Sequence, residues 1–139
     1  MDTPDFDVDA QACLTLLEVS KRIKVTIEAY ATEHDLTLQQ IMVLHNLYNE
    51  DHILMGALAD RLHCDASNVT GMVDRLQAAG LISRQALPED RRAKQLAITV
   101  QGRQLIDRLI PRLPRELHFS ALTADEHATL RQLLRKILT

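Results

Sequence analysis

Residues 54–80 read LMGALADRLHCDASNVTGMVDRLQAAG, two short amphipathic segments joined by His63-Cys64-Asp65. Leu54, Leu58, Ala59 and Leu62 share one side of the first segment at helical spacing, as do Val69, Met72, Val73 and Leu76 in the second. Asp65 stands at the N-cap position of the second helix, where a carboxylate accepts from early backbone amides, and Gly80 supplies the left-handed residue that ends it. Two helices across so tight a connection have the form of a helix-turn-helix. At about 3.6 residues per turn, Ser67, Thr70, Gly71 and Asp74 lie roughly 100–200° from the buried stripe, with Asn68 and Arg75 at its edges. Small polar groups at a helix N-terminus can approach a major groove closely. Hydroxyls and amides there bond base edges, and Arg takes guanine or a phosphate. An ordinary helical hairpin with a polar outer face has the same pattern, so the neighbouring sequence decides.

After Gly80, Leu81, Ile82 and Arg84 form a short strand-like run, and Leu96, Ile98 and Thr99 alternate before Gln101-Gly102. The pattern predicts a two-stranded hairpin tipped by PEDRRAK, residues 88–94. A hairpin directly after a recognition helix is a wing. Its tip extends to the flanking minor groove, where Arg binds by groove shape and field more than by base pattern. Arg91, Arg92 and Lys94 are then the nucleic-acid grip, Asp90 the carboxylate that holds Arg92 in position, and Glu89 a solubilising group at the tip. The charge layout agrees. The formal net charge is only −3, yet residues 1–60 carry eleven acids against Lys21, Arg22 and Lys24, while residues 81–115 carry eight bases against three acids. A local cationic excess of this kind suits an anionic partner.

The flanks are helical. From Asp9 to about Glu33, Cys13, Leu16, Leu17, Ile23, Ile27 and Tyr30 recur at near-helical spacing with no interior Gly or Pro, which predicts a long amphipathic helix. Thr37 with Gln40 forms a capping box ahead of Ile41, Leu44, Leu47 and Tyr48. Towards the C-terminus, Leu105, Ile106, Leu109, Ile110 and Leu113 line a helix disturbed by Pro111 and Pro114, and Thr123 with Glu126 caps a last helix bearing Leu130, Leu133, Leu134, Ile137 and Leu138. These rows exceed what a winged helix alone would cover. With the first helix they are expected to cover one another across a twofold axis, as closed symmetric dimers are the commonest oligomers.

Residues 54–103 resemble the winged helix of the MarR (multiple antibiotic resistance regulator) family. The resemblance rests on Thr70-x-x-Val73-Asp74-Arg75-Leu76, Gly80-Leu81-Ile82-x-Arg84, Pro88-x-Asp90-Arg91-Arg92 and Leu96-x-Ile98-Thr99-x-x-Gly102. It implies a mainly α fold with a small β-hairpin wing: a winged helix-turn-helix at 36–100, and a helical dimerisation region at 1–35 and 101–139. It places Ser67, Asn68, Thr70 and Arg75 on or beside the major-groove helix, Arg84 at the base of the wing and Asp90-x-Arg92 at its tip. By the same resemblance the chain is a homodimer on a palindromic double-stranded operator, a repressor that occludes a promoter, released by a small aromatic or phenolic effector. Such acids bind between the dimer helices and the winged domain, where Tyr30, Met42, His45 and Met55 are the candidate lining. Cys13 has the placement of the reactive thiol in hydroperoxide-sensing members, so a redox-sensing regulator is an alternative. A buried, structural thiol is the reading the surroundings favour for Cys13 and for Cys64.

Composition narrows the remaining classes. With 139 residues, 46% hydrophobic and 25% charged, the chain has the make-up of one ordinary globular domain with a helical extension. No apolar run approaches the roughly 18 residues of a membrane span, and the acidic opening MDTPDFDVDA lacks the basic and apolar regions of a secretory signal; a cytoplasmic location without a membrane partner is expected. Cys13 and Cys64 fall in no CxxC pair, and no two of the six histidines lie at a clean i, i+4 spacing, so neither disulfide nor metal is expected. There is no Gly-rich phosphate loop, GxSxG or HExxH, hence no catalytic residue and no cofactor. The other competing class is a winged-helix module that binds only protein. Steep salt dependence of DNA binding separates the two.

Overall fold

The computed structural model describes residues 7–139, so the acidic opening stretch lies outside the described residues up to Phe6. Helix α1, Val8–Glu33, runs for 26 residues and is buried only near its end, at Tyr30 and Ala31. Asp35, in the left-handed region at φ 57°, turns the chain. Thr37 then starts α2, Leu38–Asn49, through a complete capping box: its Oγ1 accepts from the Gln40 amide at 3.2 Å, and Gln40 Oε1 accepts from the Thr37 amide at 2.9 Å. Helix α2 is the centre of the core, with Ile41, Val43, Leu44 and Leu47 all sequestered from solvent. Burying a large aliphatic side chain contributes about 1.5–3 kcal/mol, so these four positions alone hold a sizeable part of the folding free energy.

A two-residue strand β1, Ile53–Leu54, leads into α3, Met55–Leu62. His63 at φ 52° makes the tight turn, and α4, Ala66–Ala78, follows with Val69, Val73 and Leu76 inward. Asp65 occupies the N-cap position, but its carboxylate makes no cap hydrogen bond; its carbonyl accepts from Val69 at 3.1 Å. Gly80, at φ 77°, leaves the helix for β2, Ile82–Ala86, which pairs antiparallel with β3, Lys94–Ile98, in the register Ile82 to Ile98 through Ala86 to Lys94. Strand β1 adds to the far side of β3, pairing Ile53 with Leu96, and the sheet order is β1-β3-β2. That third strand departs from the sequence reading, which put Leu54 in the helix. Two residues are too short to show alternation, and their pairing is supplied by β3.

Thr99 caps α5, Val100–Leu109, by accepting from the Gly102 amide at 3.1 Å. Pro111 and Pro114 convert the following Ile110–Glu116 into a 3-10 segment, and after a second short 3-10 turn the Thr123–Glu126 capping box opens α6, Ala124–Leu138. The apolar rows here divide differently from expectation. Leu105, Ile106 and Leu109 are buried within the chain's own core, where the Tyr30 hydroxyl donates to the Leu105 carbonyl at 2.7 Å. Helix α6 instead buries none of its residues; Leu133, Ile137 and Leu138 are 52%, 67% and 86% exposed. The chain is mainly helical with a small three-stranded antiparallel sheet, a winged-helix fold.

Two glycines make opposite uses of a missing side chain. A Cβ on the buried Gly102 would stand 2.2 Å from the Leu81 carbonyl oxygen and 2.8 Å from Ile98 Cγ1, whereas one on Gly71, mid-helix and exposed, meets nothing within 4 Å. Gly102→Ala is expected to destabilise by about 1–3 kcal/mol, the range for overpacked sites. Gly71→Ala should stabilise by up to about 1 kcal/mol through helix propensity. Urea unfolding of both variants tests the opposite signs.

Candidate nucleic-acid interface

The first turns of α4 present Ser67, Asn68, Gly71, Asp74 and Arg75 to solvent, with Thr70 half-buried and its hydroxyl donating to the Ala66 carbonyl at 2.8 Å. The face expected to read DNA is therefore formed and open. Ser67, Asn68, Gly71 and Arg75 share a shallow depression of about 370 Å³ with Gln39 from the first turn of α2 and Cys64 from the turn. Sequence reasoning missed Gln39. Its signal would have been its position beside Gln40 at the start of a buried helix, where one amide caps and the next is left outward.

The wing is tied to this helix by charge. Arg84, on β2, pairs with the Asp74 carboxylate of α4, its side chain only 21% exposed against 60% for Asp74. Asp74 thus serves as the anchor of the wing's base, and its charge is offset there by Arg84. At the tip, Asp90 Oδ1 accepts from the backbone amide of Arg92 at 2.9 Å, the Asp90 carbonyl accepts from the Ala93 amide at 3.1 Å, and Leu87 closes onto Ala93 at 3.2 Å. The Asp90 carboxylate, expected to hold Arg92 in position, meets that residue at its backbone amide. A short Asp side chain bonds the amide two residues on, shaping the turn rather than the cation. Arg91, Arg92 and Lys94 are exposed, and Arg84, Arg92 and Lys94 line one groove with Thr70.

The four residues expected around an effector are not brought together. Tyr30 is core, 1% exposed, and burial raises its hydroxyl above the ordinary tyrosine range. A fully packed aromatic with its hydroxyl engaged offers nothing to a ligand. His45 is exposed on α2, its Nε2 3.0 Å from the Asn49 amide nitrogen, and Met55 lies beside the wing groove. Met42 alone lines the larger cleft, about 580 Å³, formed by α1, α2 and α3 with Leu134 of α6. Its walls include Ile23, Ile27 and Leu62, with Lys24 and Arg61 as its cations. Arg61 also bonds Glu50 at 2.6 Å, holding that carboxyl below the usual glutamate range and fixing α3 to the end of α2.

Cys13 is exposed on α1, which corrects the expectation of a buried thiol: among the described residues nothing covers it, and its neighbours Leu14 and Leu17 are exposed as well. Cys64 is half-buried, its Sγ 3.3 Å from the Leu62 carbonyl. Among the described residues, no three His, Cys, Asp or Glu side chains gather as a metal set, and no helix is long and apolar enough to cross a membrane.

The profile of the MarR family matches residues 36–94. The multiple antibiotic resistance protein MarR of Salmonella typhimurium is 35% identical over 112 residues, 78% of this chain and 78% of that protein. The transcriptional repressor NicR of Pseudomonas putida is 29% identical over 140 aligned positions, covering 99% of this chain and 89% of its own length. A mutant MarR from E. coli, solved in complex with operator DNA, superposes with a TM-score of 0.67 at 27% identity, over 96% of this chain and 100% of that one. The chain belongs to the MarR family of winged-helix transcriptional regulators.

Proposed function

We propose that this regulator is a homodimer that binds a palindromic double-stranded operator in a sequence-specific manner, represses by occupying a promoter, and is released by a small aromatic or phenolic acid. The observation that carries this reading is the single surface formed by the open polar face of α4 and the cationic wing pinned to it through Arg84 and Asp74. Ser67, Asn68, Thr70 and Arg75 are suited to base edges and Gly71 to close approach, while Arg84, Arg91, Arg92 and Lys94 grip the flanking backbone and Asp90 shapes the turn that carries them. The likeness to a MarR solved on operator DNA and to a named repressor supports the same mode. Residues 36–100 are the DNA-binding part, and 1–35 with 101–139 the assembly part.

Dimerisation is supported by α6. An amphipathic helix that buries no residue, with leucine and isoleucine at half to nearly full exposure, is unstable as an isolated arm. Val8, Leu14, Leu17 and Val25 on α1 are likewise uncovered, so a second copy offers each helix a matching apolar face. Two protomers so joined aim two α4 helices at successive major grooves. The cleft between α1, α2 and α3 supports the effector reading: its apolar walls suit an aromatic ring and Lys24 a carboxylate.

Footprinting on the DNA flanking the chain's own gene tests the whole reading, with a protected palindrome expected and a failure to protect any duplex refuting it. Within that assay, Arg75→Ala should cost about 1–3 kcal/mol and relax selection at one base position, while Asp90→Ala should weaken binding with little change in salt slope, because the cations remain. Leu133→Glu combined with Ile137→Glu should leave circular dichroism unchanged, turn the dimer into a monomer by sedimentation, and lower operator affinity by about 100-fold or more as the second half-site contact is lost. Salicylate should raise the thermal midpoint of the wild type, and Met42→Trp, which fills the cleft, should abolish that shift while DNA binding persists.

A further inference from the structure

Two hollows in this chain share a wall. The cleft of about 580 Å³ between α1, α2 and α3 and the depression of about 370 Å³ on the outer face of α4 have two lining residues in common, Gln39 and Cys64. The cleft has the walls suited to an aromatic acid, and the depression takes in Ser67, Asn68 and Arg75, the residues suited to base edges. The two shared residues differ in freedom. Cys64 is half-buried, and its thiol donates to the Leu62 carbonyl at 3.3 Å. Gln39 has its backbone fixed in the first turn of α2, beside the complete capping box of Thr37 and Gln40. Its side chain is exposed, and its amide has no hydrogen-bond partner among the described residues. A polar group free to turn, on a base that cannot, stands between the two hollows.

We infer that Gln39 is the group for which effector and operator compete: its amide bonds the operator from the depression, and the carboxylate of an aromatic acid in the cleft draws it away. The inference rests on the DNA-binding and effector readings and supplies the link between them. A glutamine amide suits both sides, because its NH2 donates to a carboxylate, and NH2 and carbonyl together match an adenine edge. It cannot serve both at once. A hydrogen bond to an ionised carboxylate is roughly twice as strong as one between neutral groups, so an occupied cleft holds the amide off the face of α4. Rotation between staggered side-chain wells carries the amide from one hollow to the other. Release by this route needs no displacement of α4, whose Val69, Val73 and Leu76 are locked in the core.

The test measures operator affinity of the full-length protein with and without saturating salicylate, and salicylate affinity with and without operator. In the wild type each ligand should weaken the other by the same factor, about tenfold, since coupling between two binding sites is reciprocal. Gln39→Met keeps the length of the side chain, so the wall stays closed, and removes the amide. Without salicylate it should bind the operator only as well as the wild type does with it, and salicylate should then leave that affinity unchanged. The thermal shift on adding salicylate should persist in this variant, since the apolar walls and Lys24 remain. In the nitrogen–proton spectrum of the wild type, the Gln39 side-chain NH2 signals should move with salicylate and with operator, while salicylate alone leaves the backbone amides of α4 in place. Full release of the operator by salicylate in Gln39→Met would overturn the competition and leave the DNA-binding and effector readings standing. Release that survives in Met42→Trp, whose cleft is filled, would put the ligand on the face of α4 itself and also overturn it. A wild type that binds operator but is indifferent to salicylate would end the effector reading and this inference together, and one that protects no duplex would end the DNA-binding reading as well.

Discussion

A helix that is apolar around most of its circumference has to be surrounded, and α2 meets this constraint with Ile41, Val43, Leu44 and Leu47 all inaccessible. The rest of the chain is arranged to supply its neighbours. The end of α1 gives Tyr30 and Ala31, α3 gives Leu58 and Ala59, α4 gives Val69, Val73 and Leu76, the sheet gives Leu96, and α5 gives Leu105, Ile106 and Leu109. The position of α4 is a consequence: its inner face is committed to the core, which leaves its outer face no direction but solvent.

Polar ties then fix the elements that the core alone leaves free to slide. Two stacked cations do this for α5 and the segment after it. Arg103 lies over the Tyr48 ring and Arg112 over Tyr30, each with its guanidinium carbon 4.8 Å from the ring centre. Asp107 accepts from the Tyr48 hydroxyl at 2.6 Å, and Arg112 reaches Glu33 at 2.9 Å. Exposed pairs of this type contribute little one by one, but each uses a ring or a hydroxyl already placed by packing, so the ordering cost is small. Helix α5 is therefore held to α2 through Tyr48 as well as through its own buried residues.

Apart from Asp65, whose carboxylate makes no cap bond, the local signals in the sequence were faithful because they act within a few residues. Thr37 with Gln40, Thr123 with Glu126, Gly80 at the end of α4 and the alternation in the hairpin all operate over one turn or one strand pair, and each formed as its residues dictated. What the sequence concealed depends on residues far apart along the chain. The stripe Leu105-Ile106-Leu109 announces that it will be buried but not against whom, and it proved to join the chain's own core beside α2, with Tyr30 bonded to its backbone. Strand β1 exists only because β3 is there to pair with it. The cleft takes walls from four helices, so Met42 could be named for it while Tyr30, chosen on the same grounds, belonged to the core. At the wing, Asp90 and Arg92 are neighbours in space as expected, but a carboxylate two residues from a flexible guanidinium finds the nearer, fixed backbone amide first.

The isolation of α6 has a bearing on how such a protein diverges. A residue that helps to close a core cannot change without an accompanying change elsewhere, and Leu105 or Ile106 is bound in this way. Leu133, Ile137 and Leu138 share no such debt within the chain. After a gene duplication, substitutions along that face are thus the least costly route by which two sister proteins could come to reject each other's subunits, since a mismatched charge or volume penalises the mixed pair without unsettling either fold.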